Sequence, residues 1–366
     1  MQRFDLQDIL CTFETQTIYY MNDIFSIRLR QARTIRQLSV DDLGKMVNLS
    51  KQEILQYEDG SSKPDGAALI KFSKALGLSL DFFFRPVSVS IESVEFRKKN
   101  SLTGMEIEAI KEIVKDRLES FLEIEAIVDE PARNSFVSKH IVECEDDVLP
   151  LAEKLKKAWG IGEDGINNVI ETLEDNNIKV VEVDASGDFD GLSGFANGKI
   201  PFIVLNKNVG SERKRFTALH ELAHLLFDCN CMDKRDEEDL CSLFANEMLI
   251  SKKVFFRKIG ENRRDISLLE LKDLQVQFGI SIDALMCKAK SLNVITKERY
   301  GYFRKKKAEN PALKNEVEES RYKEESPKRF ERLVHKALAS DLISMSKCAS
   351  LLNVSVVKFR EDLMLM

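Results

Sequence analysis

His220 and His224 stand four residues apart in the run Phe216-Thr217-Ala218-Leu219-His220-Glu221-Leu222-Ala223-His224-Leu225-Leu226-Phe227. On an α-helix such residues lie one turn above each other, so both imidazoles face one point in space. Neutral imidazole is a good ligand for Zn²⁺, and a carboxylate on the flank can take a proton from polarised water. That is the H-E-x-x-H arrangement of metal-assisted hydrolysis, with His220 and His224 as ligands and Glu221 as general base. Chance alone gives such a match in on the order of one chain in a hundred of this length. The weight comes from context, because two of only four histidines fall in this pentapeptide. Phe216, Ala223 and Phe227 continue the histidine face with apolar groups, and Arg213 and Arg215 precede it.

A catalytic zinc site takes a third protein ligand and keeps one position open. The next helical stretch, expected from about Asp236 to Ile250, offers Glu237, Glu238 and Asp239 ahead of an apolar face of Cys241, Phe244, Ala245 and Met248. Glu238 lies one turn before Cys241 on that face and ranks first as third ligand, ahead of Glu237 and then Asp239. The competing reading makes all three solvated acids that favour the first turn of a helix. Cys229 and Cys231 form a C-x-C pair without a second pair, and read as reduced thiols.

Several runs in fixed order resemble the ImmA/IrrE family of zinc peptidases. They are Gly191-Leu192-Ser193-Gly194, Pro201 to Asn206, Arg213, Arg215-Phe216-Thr217, the His220 to His224 motif, and Phe244 to Ile250. The resemblance covers roughly residues 150 to 300. It implies a zincin-like fold, metal ligands at His220 and His224, a general base at Glu221 and an acidic third ligand at Glu238. The chain departs from the family where Leu240, Cys241 and Ser242 replace a frequent Glu-Ala-Asn run, and where Ser251 replaces a frequent proline.

The 366-residue length allows two or three domains. A hydrophobic share of 43% beside 32% charged residues describes a chain that can build cores, not a disordered one. No apolar run approaches the roughly 20 residues of a membrane helix, and Met1-Gln2-Arg3-Phe4-Asp5-Leu6 lacks the pattern of a signal peptide. Seven cysteines without framework spacing read as reduced thiols, so a cytoplasmic protein with no membrane partner is expected. A net charge of -6 excludes a wholly basic nucleic-acid coat but leaves room for a local basic face.

Residues 1–22 read as an N-terminal extension. From Phe25 a first helix reaches about Ile35, and Ser39 caps a second. Asn48-Leu49 turns, and Ser50-Lys51-Gln52-Glu53 is a capping box opening a third helix through Tyr57. Two short helices joined by such a turn form a helix-turn-helix, whose second helix enters the major groove. Residues 25–86 resemble an Xre/Cro-type domain in Leu38-Ser39, Leu43, Val47, Ile54, Tyr57 to Gly60, Pro64, Leu69, Phe72, Ala75-Leu76 and Leu80. By that resemblance Lys51, Gln52 and Gln56 face base edges of double-stranded operator DNA, with Arg28 and Arg33 or Lys63 near phosphates. The alternative is a protein-interaction domain that has lost DNA binding.

Beyond it, Ile107, Ile110, Ile113, Val114, Leu118, Phe121 and Leu122 make an apolar stripe on a helix from about Thr103 to Asp129, stopped by Glu130-Pro131. It reads as connecting or dimerising, which makes a homodimer a candidate state. Helices over 149–159 and 166–176 and strands over 178–184 and 202–206 follow. After the metal helices come a pair over 268–278 and 282–292, a basic run Arg304-Lys305-Lys306-Lys307, a charged stretch from Glu309 to Pro327 expected to be flexible, and a helical end read as a docking or oligomerising module.

The expected fold class is α+β and mostly α. The expected divisions are an extension at 1–22, an all-α helix-turn-helix domain at 23–86, a connecting segment at 87–147, a zincin-like peptidase domain with a small sheet at 148–300, and a charged linker with a helical module at 301–366. The expected function is a DNA-binding regulator with a zinc endopeptidase that cleaves a repressor or antitoxin-like protein. The alternative is a transcription factor or antitoxin whose metal site is structural or sensory.

Overall fold

A computed structural model describes residues 24–91, 102–129, 138–186, 189–229 and 233–364. The extension at 1–22, the Glu130-Pro131 stop and Cys231 lie outside them. The chain is mostly helical with small sheets, and it divides into two compact units: Met1–Ser90, Leu102–Glu130 and Phe330–Met366 form one, Ile91–Ser101 and Pro131–Arg329 the other.

The first unit opens with α1 (24–35), α2 (Val40–Val47), α3 (Lys51–Glu58) and α4 (Gly66–Leu76), then a 3₁₀ turn at Leu80–Phe84. Ser39 and Ser50 each close a capping box, with Asp42 and Glu53 returning the bond, so two orphan N–H groups per helix start are satisfied. Asn48 takes the left-handed conformation at φ 58°, ends α2 and lets the chain re-enter α3 after two residues. Phe25, Leu29, Leu43, Val47, Ile54, Phe72 and Phe83 fill one core beneath these helices. α5 (Gly104–Val128) starts at a third capping box, Thr103 with Glu106, and ends at Asp129 in the left-handed conformation.

The second unit carries a sheet of order β2-β4-β3, where β2 (Lys179–Val183) runs parallel and β3 (Gly191–Ala196) antiparallel to the central β4 (Ile200–Asn206). Phe202 to Asn206 is buried throughout, as expected for a central strand covered on both faces. Before the sheet come β1 (His140–Ile141), α6 (Glu145–Ala158) and α7 (Val169–Asp175). After it come α8 (Ser211–Leu226), β5 (Phe227–Asp228) and α9 (Lys234–Leu249). β5 pairs with β1 in parallel, His140 opposite Phe227, which fixes the exit of α8. Ile203 and Leu205 of β4, Ala218, Leu219, Leu222 and Ala223 of α8, and Cys241, Phe244, Ala245 and Met248 of α9 share one core. The helix that carries His220 and His224 is therefore clamped between a strand and a helix.

The same core takes in α10 (Lys252–Ile259), α11 (Leu268–Phe278) and α12 (Ile282–Ser291), then Phe303 of α13 (Lys297–Glu309) and Val317 of α14 (Pro311–Glu318). The stretch from Glu309 to Pro327 is not the flexible linker its composition predicts. Its charges meet buried partners: the Glu212 carboxylate accepts from Ser320 Oγ at 2.5 Å and Arg321 N at 2.9 Å, and Glu325 pairs with Arg215 while accepting from Val169 N at 2.9 Å. Arg215 also donates to the carbonyls of Gly279, Ile166 and Phe278, and lies over the Tyr322 ring. Gly279, at φ +58°, caps α11, and any Cβ there would collide with the Arg215 guanidinium, so backbone and guanidinium both require glycine.

The chain then returns to the first unit as α15 (Arg329–Ala339), α16 (Met345–Leu352) and α17 (Val356–Met364). Leu333, Val334, Ala337, Leu351 and Phe359 pack with Phe121 and Ile124 of α5. The end of the stripe read as a dimer seam is thus covered by the chain's own C-terminal helices.

Candidate metal centre and nucleic-acid interface

Both histidines and the flanking acid stand on α8, whose apolar residues fix its rotation against β4 and α9. His220 Nε2 lies 3.0 Å from Glu238 Oε2 and 3.2 Å from His224 Nε2, and His224 Nε2 lies 3.9 Å from Glu238 Oε2. Two imidazole nitrogens and a carboxylate oxygen around tetrahedral Zn²⁺ would stand roughly 3.3 Å apart, given bonds of about 2.0–2.1 Å. The three separations bracket that value. One donor atom from each of His220, His224 and Glu238 falls within 4.8 Å of the others. Two imidazole nitrogens and a carboxylate oxygen turned to one point are a donor set that fits a divalent metal.

Each histidine is also held from its other nitrogen. His224 Nδ1 lies 3.1 Å from Glu237 Oε1 and 3.1 Å from Cys241 Sγ, and His220 Nδ1 lies 3.4 Å from Ser242 Oγ. Of the three acids weighed in sequence, Glu238 sits at the Nε2 side, Glu237 at the Nδ1 side, and Asp239 is exposed and belongs to neither group. Glu221 is buried, with its Oε2 accepting from Ser193 Oγ at 2.8 Å. Ser193 is on β3, an edge strand in the order β2-β4-β3. Gly191 on the same strand is needed for the approach, since a Cβ there would meet Thr217 Cγ2 at 2.7 Å and Val204 O at 2.8 Å, with Glu221 Cγ at 3.5 Å.

Sequence reading did not assign Ser193, Cys241 or Ser242 a place beside the centre. The two glycines of Gly-Leu-Ser-Gly lower strand propensity, which concealed β3. Arg213, whose guanidinium holds Asp190 bidentately at 2.7 and 2.9 Å and is itself pushed up in pKa by that bond, ties the α8 start to the residue before β3. Cys229 Sγ donates to Val142 O at 3.7 Å.

In the first unit Lys51 and Gln52 are exposed at the start of α3 and Gln56 is half-buried one turn on. Lys51 reaches Asp41 at 3.0 Å in a pair open to solvent, which is weak and readily exchanged for another anion. Lys63 is exposed as well. Arg28 does not face phosphate. Its side chain is 0% exposed, pairs with Glu119 at 2.6 Å and donates to the carbonyls of Arg85 and Pro86. Arg33 is held bidentately by Glu58 at 2.5 and 2.9 Å and donates to Leu38 O. Both arginines fasten the fold, because an arginine fork satisfies buried carboxylates better than it is left dangling.

Residues 173–289 match a peptidase family model described as the IrrE N-terminal-like domain, and residues 29–83 match one described as helix-turn-helix. The chain joins a helix-turn-helix domain to an IrrE N-terminal-like peptidase domain. The peptidase match contains all of His220, Glu221, His224 and Glu238. A relative from Rhodospirillum rubrum, named an uncharacterized transcriptional regulator in the ATPase CF(0) region, is 32% identical over 71 residues, 19% of this chain and 66% of that protein, just short of two thirds of its length. The apo form of ComR from S. thermophilus aligns over 94% of this chain and 99% of that one at 12% identity, but with a TM-score of 0.17 the likeness carries no argument. Among the described residues no helix is long and apolar enough to cross a membrane.

Proposed function

We propose that this protein is a cytoplasmic DNA-binding transcriptional regulator whose peptidase domain holds one Zn²⁺ between His220, His224 and Glu238 and hydrolyses a peptide bond in a specific protein such as a repressor. The observation that carries it is the convergence of three donor atoms within 4.8 Å beside a buried Glu221. Bound there, Zn²⁺ would supply Lewis acidity, polarising a carbonyl and lowering the pKa of water. Glu221 takes the proton from the attacking water. Ser193 donates to Glu221 Oε2 and so restrains the orientation of that carboxylate. β3 is the outer strand in the order β2-β4-β3, bridged by Ile91 only at Ala196, and it carries Ser193, so an extended substrate adding beside Ser193 would bring its main chain near the base.

The helix-turn-helix domain supports operator binding through Lys51, Gln52 and Gln56. Joining a DNA reader to a peptidase raises the effective concentration of the peptidase near proteins bound to adjacent DNA. That favours a DNA-bound repressor or antitoxin-like substrate.

The test has two readouts. Elemental analysis of purified protein is expected to give about one zinc per chain, lost in His220→Ala and His224→Ala and kept in Glu221→Gln, because Glu221 is not a ligand. Wild type and Glu221→Gln are then expressed beside candidate repressors and the fragments read by mass spectrometry. A fragment made by wild type and absent with Glu221→Gln supports hydrolysis. Identical patterns with zinc retained would leave a regulator whose metal is structural or sensory.

A further inference from the structure

Glu237 and Glu238 are adjacent acids, yet they meet different nitrogens. Glu238 Oε2 approaches His220 Nε2 at 3.0 Å, whereas Glu237 Oε1 approaches His224 Nδ1 at 3.1 Å. We propose that Glu237 is the positioning residue of the metal centre: it accepts the Nδ1 proton of His224 and so turns the Nε2 lone pair toward His220 and Glu238. The proposal rests on the metal-site reading above.

The proton assignment follows from the partners. A carboxylate can only accept, so a 3.1 Å contact to Glu237 is favourable only with the proton on Nδ1. Cys241 Sγ, also 3.1 Å from Nδ1, could instead donate its S–H to a bare Nδ1, which would place the ring proton on Nε2 and block ligation. The two are unequal: a hydrogen bond to an ionised acceptor is about twice as strong as a neutral one, and a thiol is a weak donor. The carboxylate therefore decides the tautomer. His224 is the more enclosed histidine, with 8% of its side chain exposed against 15% for His220, so water is the poorer substitute partner there. His220 gets weaker help, from Ser242 Oγ at 3.4 Å. One face of α9 thus carries a ligand at Glu238 and the two orienting contacts at Glu237 and Ser242, and the asymmetry makes Glu237 the important one. This is the carboxylate–histidine–metal arrangement in which the outer carboxylate fixes ring orientation and raises ligand basicity.

The experiment measures Zn²⁺ affinity of the full-length protein by competition with a chromophoric chelator, together with the melting temperature of the metal-free form and the ¹⁵N shifts of the histidine rings. Glu237→Ala is expected to weaken Zn²⁺ by about 10–100-fold, the usual cost of losing an outer partner, with the metal-free melting temperature near wild type. Glu237→Gln keeps an accepting oxygen and recovers most of the affinity. Cys241→Ala stays near wild type, and His224 shows Nδ1–H in the zinc form of wild type but mixed tautomers in Glu237→Ala. Wild-type affinity in Glu237→Ala, or a larger loss in Cys241→Ala, overturns the proposal while His220→Ala and His224→Ala still lose zinc. Complete loss in Glu237→Ala with binding retained in Glu238→Ala makes Glu237 the ligand and also overturns it. Zinc retained in both histidine variants would instead sink the metal-site reading itself.

Discussion

The pairing of Arg28 with Glu119 shows how a charge that reads as a DNA contact becomes structural. Both side chains are almost fully buried; Glu119 Oε2 meets Arg28 as an ion pair, and its Oε1 accepts from Ser88 N at 3.0 Å. Removing one partner of such a pair leaves the other charge buried and unmatched. Arg28→Ala should therefore cost about 3–5 kcal/mol of stability, seen as a lower denaturation midpoint, while the folded fraction binds DNA with unchanged salt dependence. A shallower salt slope with full stability would show that Arg28 does contact phosphate. At the other site, Ser193→Ala removes a hydrogen bond to an ionised carboxylate, worth about 1.5–3 kcal/mol. Cleavage should fall at least about tenfold with zinc content intact, the two being separable because Ser193 touches Glu221 and not the donor atoms.

At the level of elements, α8 is set by what seizes its first turn. Glu212, Lys214 and Arg215 are all buried there, bound to Arg321 N, Glu182 and Glu325 in turn. Glu325→Ala would strip Arg215 of its carboxylate one and a half turns before His220. The expected result is a melting temperature lowered by several degrees and weaker zinc retention, checked by calorimetry and elemental analysis; an unchanged melting curve would show that the strap is incidental. The far end of α9 is held differently. Lys288 Nζ donates to the carbonyls of Asn246 and Ile250, and Lys156 Nζ to that of Glu247 at 2.7 Å. Burial lowers the Lys156 pKa to about 8, from an ordinary value near 10.5. Between those pH values the unfolded chain holds a proton that the folded chain does not, so this group makes stability rise with pH. The stability of Lys156→Met relative to wild type should accordingly fall by about 2 kcal/mol from pH 7.5 to 10.5, after discounting for partial exposure. A constant difference would mean that Lys156 keeps its ordinary pKa.

For the whole molecule, the core around His220 and His224 does not stop where the H-E-x-x-H run or the family match stops. Phe303, Val317 and the buried Glu325 lie beyond residue 289 and still belong to the second unit. A fragment spanning 138–329 should fold and bind zinc, while one ending at 300 should be less stable and should lose metal, as read by circular dichroism and elemental analysis. The helix-turn-helix belongs to the other unit. Lys51→Ala with Gln52→Ala should remove operator preference, at roughly 1–3 kcal/mol per base contact, and leave the zinc content as it was. Retained operator selectivity would place the reading residues elsewhere.

The sequence by itself determined the local signals: the capping box at Ser50, the cap at Ser39, the helix start near Thr103, the i, i+4 histidines with their intervening glutamate, and the α11–α12 break at Gly279, because each depends on neighbours within one turn. Tertiary structure alone decided which acid meets which imidazole nitrogen, since residues 237 and 238 differ by only a fraction of a turn and the choice depends on how α9 packs against α8. It also decided that Arg28 is buried and Arg33 locked to Glu58, that β3 exists despite its glycines, and that the charged stretch after Glu309 is ordered. In each of these the partner lies far away in the chain, and burial makes its hydrogen bonds and charge pairs outweigh local propensity.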